Sequence, residues 1–124
     1  MTIKVLIADD HAIVRTGLRA LIGVEPALRL VGEATGGYEA MEMVSVSKPD
    51  ILVLDLSMPD MDGIAVTRQL KPAYPNLRIL ILTLHEDEAL LREAIKSGAS
   101  GYILKRAAES ELISAIQIVM RGDM

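Results

Sequence analysis

Four apolar runs in this chain each stop at a residue that can do chemistry. IKVLIA at 3–8 runs into Asp9-Asp10, ILVL at 51–54 into Asp55, ILIL at 79–82 into Thr83, and YIL at 102–104 into Lys105. As parallel strands of one sheet, these runs would bring their polar termini to its carboxyl edge, where open α/β sheets place their sites. Three carboxylates, one hydroxyl and one ammonium would meet there. Like charges a few ångströms apart oppose each other's ionisation. A divalent cation removes that conflict, because it becomes the largest local charge. These residue types point to metal-assisted phosphoryl transfer to a carboxylate.

Each of these residues also has an ordinary use. An Asp between a strand and a helix is commonly an N-cap, but two adjacent ones after six mostly apolar residues exceed what a cap requires. A hard cation such as Mg²⁺ takes one or two carboxylates together with waters and phosphate oxygens. Asp10 is expected to ligate directly, with Asp9 acting through water or setting the geometry. Asp55, in Asp55-Leu56-Ser57-Met58-Pro59, is by itself a turn residue. Beside a cation its carboxylate becomes a nucleophile able to form an acyl phosphate. Lys105 alone reads as a surface residue, yet opposite the carboxylates it supplies a point charge for a phosphoryl oxygen. Thr83 is an ordinary strand residue whose candidacy rests on position. Ser57 and His85, two residues past Asp55 and Thr83, stand near the path of water to the acceptor. Met41, Met43, Met58 and Met61 are read as packing residues, and Glu86-Asp87-Glu88 as the acidic first turn of a helix.

The elements that must position these residues follow from hydrophobic periodicity. Apolar runs alternate with helical spacing, the pattern of successive βαβ units and a parallel sheet. Val14, Leu18, Leu21 and Ile22 mark a first helix, residues 28–34 a second strand, and Gly37 to about Val46 a second helix. A third helix after Gly63 is expected to end near Lys71, because Pro72 and Pro75 oppose its continuation. A fourth spans about 87–97 with Gly98 as its stop, and a fifth carries Leu112, Ile116 and Val119. The count is five strands and five helices, an α/β doubly wound arrangement.

With 124 residues, 51% hydrophobic and 24% charged, the chain suits one domain with a real core. No apolar run reaches membrane-spanning length, and no signal peptide is apparent, so the cytoplasm is the expected compartment. The absence of cysteine excludes disulfides and thiolate metal sites. A net charge of −4 opposes a direct grip on nucleic acid by these residues. The sequence stops at Arg121-Gly122-Asp123-Met124 straight after a helix, which reads as a cut at a domain boundary, although a complete short protein would end the same way.

VLIADDH, DLSMPDMDG, ILTLH and GYILKR, in that order, resemble the receiver domain of bacterial two-component response regulators over essentially the whole chain. The ordered set Asp-Asp, Asp-x-x-Met-Pro-x-x-Asp-Gly, Thr and Lys is highly specific. The resemblance implies a flavodoxin-like, five-stranded parallel sheet of order 2-1-3-4-5 with helices on both faces. It makes Asp55 the phosphoacceptor, Asp10 a Mg²⁺ ligand assisted by Asp9, and Ser57 a backbone-carbonyl ligand. Thr83 and Tyr102 become a switch pair, and Lys105 the partner of the phosphate. A sensor histidine kinase is the implied donor, a homodimer the implied phosphorylated state, and no membrane is involved. The domain would catalyse its own phosphorylation and slow dephosphorylation.

Two positions depart from the common pattern. Arg106 follows Lys105 where many receivers have a cis proline, so the peptide is expected to be trans or strained. Leu84, bulkier than the usual small residue, is expected to narrow access to the acceptor. These features, with ADDHAIVRTGLRALI and GASGYILKRAAESEL, resemble the LuxR/NarL-type subfamily. Members usually carry a C-terminal helix-turn-helix domain, so residues 1–124 would be the N-terminal part of a longer, DNA-binding chain. Kinase choice would fall to exposed residues of the first helix, among them Ile13 and Arg15. The dimer face stays open between the first and fifth helices and the fourth helix with the fifth strand.

Other classes fit less well. A flavodoxin-like electron carrier needs a hydroxyl- and glycine-rich phosphate loop and aromatics, whereas this loop is Asp-Asp-His and the chain has no Trp or Phe. A docking module that is never phosphorylated would not need all five site positions filled. An aspartyl phosphatase would want a general acid where Ser57 stands.

Overall fold

The computed structural model describes residues 2–122; Met1, Asp123 and Met124, and with them the last residues of the supposed boundary, lie outside the described residues. The chain runs β1 (Ile3–Ala8), α1 (Ala12–Gly23), β2 (Leu28–Ala34), α2 (Gly37–Ser47), β3 (Ile51–Asp55), α3 (Gly63–Ala73), β4 (Arg78–Thr83), α4 (Glu88–Lys96) and β5 (Gly101–Leu104). A 3₁₀ turn over Lys105–Ala107 then leads into α5 (Ala108–Arg121). All pairings are parallel and the strand order is β2-β1-β3-β4-β5, as expected.

Strand side chains alternate between faces, and that alternation divides the core in two. Leu6, Leu52, Leu54, Ile79 and Ile81 pack with Val44 of α2, Leu70 of α3 and Ala94 of α4. Val5, Ile7, Ile51, Val53, Leu80 and Leu82 pack with Leu18 and Ile22 of α1 and with Leu112, Ile116 and Val119 of α5. Because helices cover both faces, every residue of β3 is buried. That double cover is why the inner strands read as unbroken apolar runs rather than alternating ones. Met58 lies in the first of these cores, with Met41, Met43 and Met61 packed against it.

Two boundaries differ from the sequence expectation. α3 continues through Pro72 to Ala73. Pro72 lies in the last turn, and the helix still closes with the Tyr74 N–H donating to the Leu70 carbonyl at 2.8 Å. A proline there forfeits one bond of a final turn instead of breaking a helix interior. In the acidic segment before α4, Asp87 is the N-cap, accepting from the Ala89 and Leu90 N–H groups, so only Glu88 sits in the first turn and Glu86 precedes the helix. The peptide after Lys105 is trans, since no cis bond occurs among the described residues.

Candidate functional site

From β1 the chain winds to β2 on one side, while β3, β4 and β5 lie on the other. The strand order therefore reverses between β1 and β3, and a crevice opens beyond their carboxyl ends. Register fills it. Ala8 pairs with Leu54, so Asp9 and Asp55 follow at the same level. Asp55 pairs with Leu82 and Thr83 with Leu104, which sets Thr83 and Lys105 on the same rim.

Asp9 and Asp55 are buried, and the Lys105 side chain is only 8% exposed. Lys105 Nζ stands 2.8 Å from Asp9 Oδ2 and 3.2 Å from Asp55 Oδ2. These are ion-pair distances without well-aligned hydrogen bonds: Asp9 Oδ2, Asp55 Oδ2 and Asp10 Oδ1 are buried with no hydrogen-bond partner. The other Asp55 oxygen accepts from the Ser57 N–H at 3.1 Å. Asp9 and Asp55 thus share one ammonium, with the Asp10 carboxylate in the same cluster. Burial is the main reason that Asp55 is raised to about 6, with the Asp9 charge adding to it; the Ser57 N–H and Lys105 oppose the rise. Burial alone would lower the Lys105 ammonium, but its contact with Asp9 and the charges of Asp55 and Asp9 hold it above its ordinary value.

A divalent cation fits this donor set. One carboxylate oxygen or ring nitrogen from each of Asp9, Asp10, His11 and Asp55 lies within 4.8 Å of all the others. Buried oxygens without hydrogen-bond partners and excess negative charge are what a hard cation satisfies. His11 was not anticipated as a member of the cluster. Its only sequence signal is its place directly after the acidic pair.

Thr83 is buried, and its hydroxyl donates to the His85 carbonyl at 2.9 Å. Tyr102 is 44% exposed, so its ring lies outside the crevice. Leu84 and His85 are exposed. Arg15 departs from expectation. Its side chain is 17% exposed, against 87% for Ile13, because Nη1 donates to the Asp9 carbonyl at 2.7 Å while Nε faces Glu33 at 3.7 Å. It anchors the acidic pair and is not a free surface residue.

The DMDG segment holds the crevice from below. Asp62 caps α3 by accepting from the Ala65 N–H. Asp60 reaches across to the N-terminus of α2, accepting from the Gly37 and Tyr38 N–H groups at 3.0 and 3.1 Å, and these bonds hold it below its ordinary carboxylate value. A Cβ on Gly63 would stand 2.8 Å from the Asp55 carbonyl oxygen, so only glycine lets α3 start this close to the acceptor. The Asp62-Gly63 pair is a readable helix start, whereas the reach of Asp60 to α2 has no local signal.

A doubly wound α/β domain of flavodoxin-like topology, with a buried carboxylate cluster at its switch point, is the class that fold and site define. A family model for the response regulator receiver domain matches residues 5–117, and the chain belongs to that family. It is 43% identical over 121 residues to the oxygen regulatory protein NreC of Staphylococcus carnosus, an alignment covering 97% of this chain and 56% of the relative. The chain therefore spans about half the length of the curated relatives it matches. A two-component response regulator of the LuxR family from Aurantimonas sp. SI85-9A1 superposes with a TM-score of 0.93 at 38% identity, covering 98% of this chain and 87% of that one. The signal receiver domain of NarL from Mycobacterium tuberculosis does so with a TM-score of 0.93 at 30% identity, covering 98% of each. The domain is thus a receiver of the LuxR/NarL type. No helix among the described residues is long and apolar enough to cross a membrane.

Proposed function

We propose that this receiver is a phosphorylation-dependent switch that takes a phosphoryl group onto Asp55 from a phosphohistidine of a sensor kinase. The observation that carries the reading is the position of Asp55. It is buried at the end of β3, 3.2 Å from the Lys105 ammonium, within one cluster with Asp9 and Asp10. Above its raised value of about 6 the carboxylate is mainly ionised and able to attack. An Asp55 oxygen forms a bond to phosphorus while the bond from phosphorus to the donor imidazole breaks, its electron pair returning to the ring nitrogen. Asp10 and Asp55, with Asp9 and the Ser57 carbonyl assisting, would hold a Mg²⁺ that would supply neutralisation of the developing charge. Lys105 holds a phosphoryl oxygen from the opposite side.

The acyl phosphate carries about −1.5 to −2 charges where the free carboxylate carried one, so the sheet edge gains about −0.5 to −1 net and three phosphoryl oxygens. The Thr83 hydroxyl then leaves the His85 carbonyl for a phosphoryl oxygen, and Tyr102 turns inward from its exposed position. The face of α4 and β5 changes as a result and serves dimerisation, with the α1–α5 face as the alternative surface. In a longer cytoplasmic chain, a C-terminal DNA-binding domain would convert that change into control of transcription.

The test is intact-protein mass after incubation with acetyl phosphate, with and without Mg²⁺, on the wild type and Asp55→Asn. The expected result is a cation-dependent gain of one phosphoryl group that Asp55→Asn abolishes. A gain that persists in Asp55→Asn would remove Asp55 from the acceptor role. No gain from acetyl phosphate or from a phosphorylated histidine donor would replace the switch with a docking module.

A further inference from the structure

His11 is the one member of the carboxylate cluster that offers nitrogen. It is the N-cap residue of α1, yet its side chain makes no cap hydrogen bond, unlike the Asp residues that start α3 and α4. Its ring is turned to the acidic pair: Nδ1 stands 3.1 Å from Asp9 Oδ1 and 3.3 Å from Asp10 Oδ1. Neighbouring ligands held about 2.1 Å from one octahedral cation lie about 3 Å apart, so both separations match edges of a shared coordination shell. A hydrogen bond from a neutral ring to Asp9 would also fit one of them. The ring and the His11 backbone N–H both meet that Asp9 oxygen, at 3.1 and 2.8 Å, but Asp10 Oδ1, 3.3 Å from the ring nitrogen, keeps no hydrogen-bond partner, so such a bond leaves this second separation unexplained. Buried oxygens of Asp9 and Asp55, also without such partners, complete the set.

We propose that His11 is a nitrogen ligand that moves the cation preference of this site from Mg²⁺ towards Mn²⁺, Co²⁺ and Ni²⁺. The inference rests on the cation-assisted phosphoacceptor reading and specifies which cation serves it. Mg²⁺ is hard, prefers oxygen and gives up its waters reluctantly, so an imidazole adds little to its binding. First-row transition ions favour imidazole, and their affinity for such a mixed site rises from Mn²⁺ through Co²⁺ to Ni²⁺. At 57% exposure, the His11 ring can close on the ion without displacing core residues. Acceptance of phosphate by Asp55 then responds to the supply of transition metal as well as to the kinase.

The test is calorimetric titration of the tag-free chain with MgCl₂, MnCl₂ and NiCl₂, on wild type, His11→Ala, Asp10→Asn and His85→Ala. His85 is the only other histidine in the chain and serves as the control. Loss of a direct ligand is expected to weaken Ni²⁺ by more than the roughly 10-fold that even outer-shell partners cost. Mg²⁺ should change by less than about 2-fold, its ligands being oxygens, and His85→Ala should leave both ions unchanged. Pulsed electron paramagnetic resonance of the Mn²⁺ form should show a nitrogen coupling in the wild type that disappears in His11→Ala while Mn²⁺ stays bound. An unchanged ratio of Ni²⁺ to Mg²⁺ affinity in His11→Ala, or a nitrogen coupling that survives it, overturns the assignment. If Mg²⁺ binding is then still abolished by Asp10→Asn, only the role of His11 is lost. Failure of the wild type to bind any of the three ions sinks the cation reading itself.

Discussion

Replacing Asp55 with Asn should make the cation-free protein more stable at neutral pH, although Asp55 is the proposed acceptor. Burial, with the nearby Asp9 charge, raises the Asp55 carboxyl from its ordinary 3.8 to about 6. Between these values the native state binds the proton that the unfolded chain has released. Stability therefore falls as pH rises through that window, and the loss is complete above about 6. At about 1.36 kcal/mol per pH unit, the displacement corresponds to about 3 kcal/mol. An Asn of the same shape carries no charge to bury and keeps an oxygen for the Ser57 N–H. The assay is urea unfolding followed by far-ultraviolet circular dichroism, in chelator, at pH 4, 5, 6 and 7.5. Wild type and Asp55→Asn should coincide near pH 4 and separate above it, the variant ahead by about 2–3 kcal/mol at pH 7.5. Divalent cation at about 100 times its dissociation constant should return about 2.7 kcal/mol to the wild type and little to the variant. Curves that run parallel across this range, or a variant less stable at pH 7.5, would refute the electrostatic account of the site.

Lys105→Ala should leave Asp9 and Asp55 without their cation and displace Asp55 further upward; phosphorylation by acetyl phosphate, timed by intact mass, should slow by about tenfold or more. Gly63→Ala places a Cβ 2.8 Å from the Asp55 carbonyl oxygen, and the forced backbone shift should cost about 1–3 kcal/mol in urea unfolding. Asp60 behaves oppositely to Asp55. Its carboxyl is held below the ordinary value by the Gly37 and Tyr38 N–H groups, so its contribution is full above about pH 4 and is lost as pH falls through its folded value. Asp60→Asn should therefore flatten the acid limb of the stability profile while leaving the profile above pH 5 unchanged in shape.

Much of this domain is legible without coordinates. Strands buried on both faces need continuous apolar runs, and ILVL and ILIL are such runs. A parallel series exposes its carboxyl ends on one edge, so the residues closing those runs are the candidates, and Asp9, Asp10, Asp55, Thr83 and Lys105 do share that edge. The bounds of β2 and the stop of α4 near Gly98 follow from periodicity and glycine geometry alone. Local propensity misjudged Pro72, because its cost depends on where the helix ends, and tertiary packing sets that end.

Relations between residues distant along the chain, or free to rotate, come from packing. Register sets Asp9 level with Asp55, and the reach of the Lys105 side chain from the end of β5 brings its Nζ to both. Asp60 caps a helix 22 residues away because the β3–α3 loop passes over α2. Arg15 turns inward since the Asp9 carbonyl lies within its reach, while Ile13, two residues before it, stays in solvent. His11 faces the carboxylates for a related reason: the strand ends at Ala8 and the helix begins at Ala12, which keeps its ring beside Asp9 and Asp10. Periodicity names the edge on which a side chain sits. Which atoms meet there depends on strand register and rotamer, and those are settled only when the whole sheet and its helices have packed.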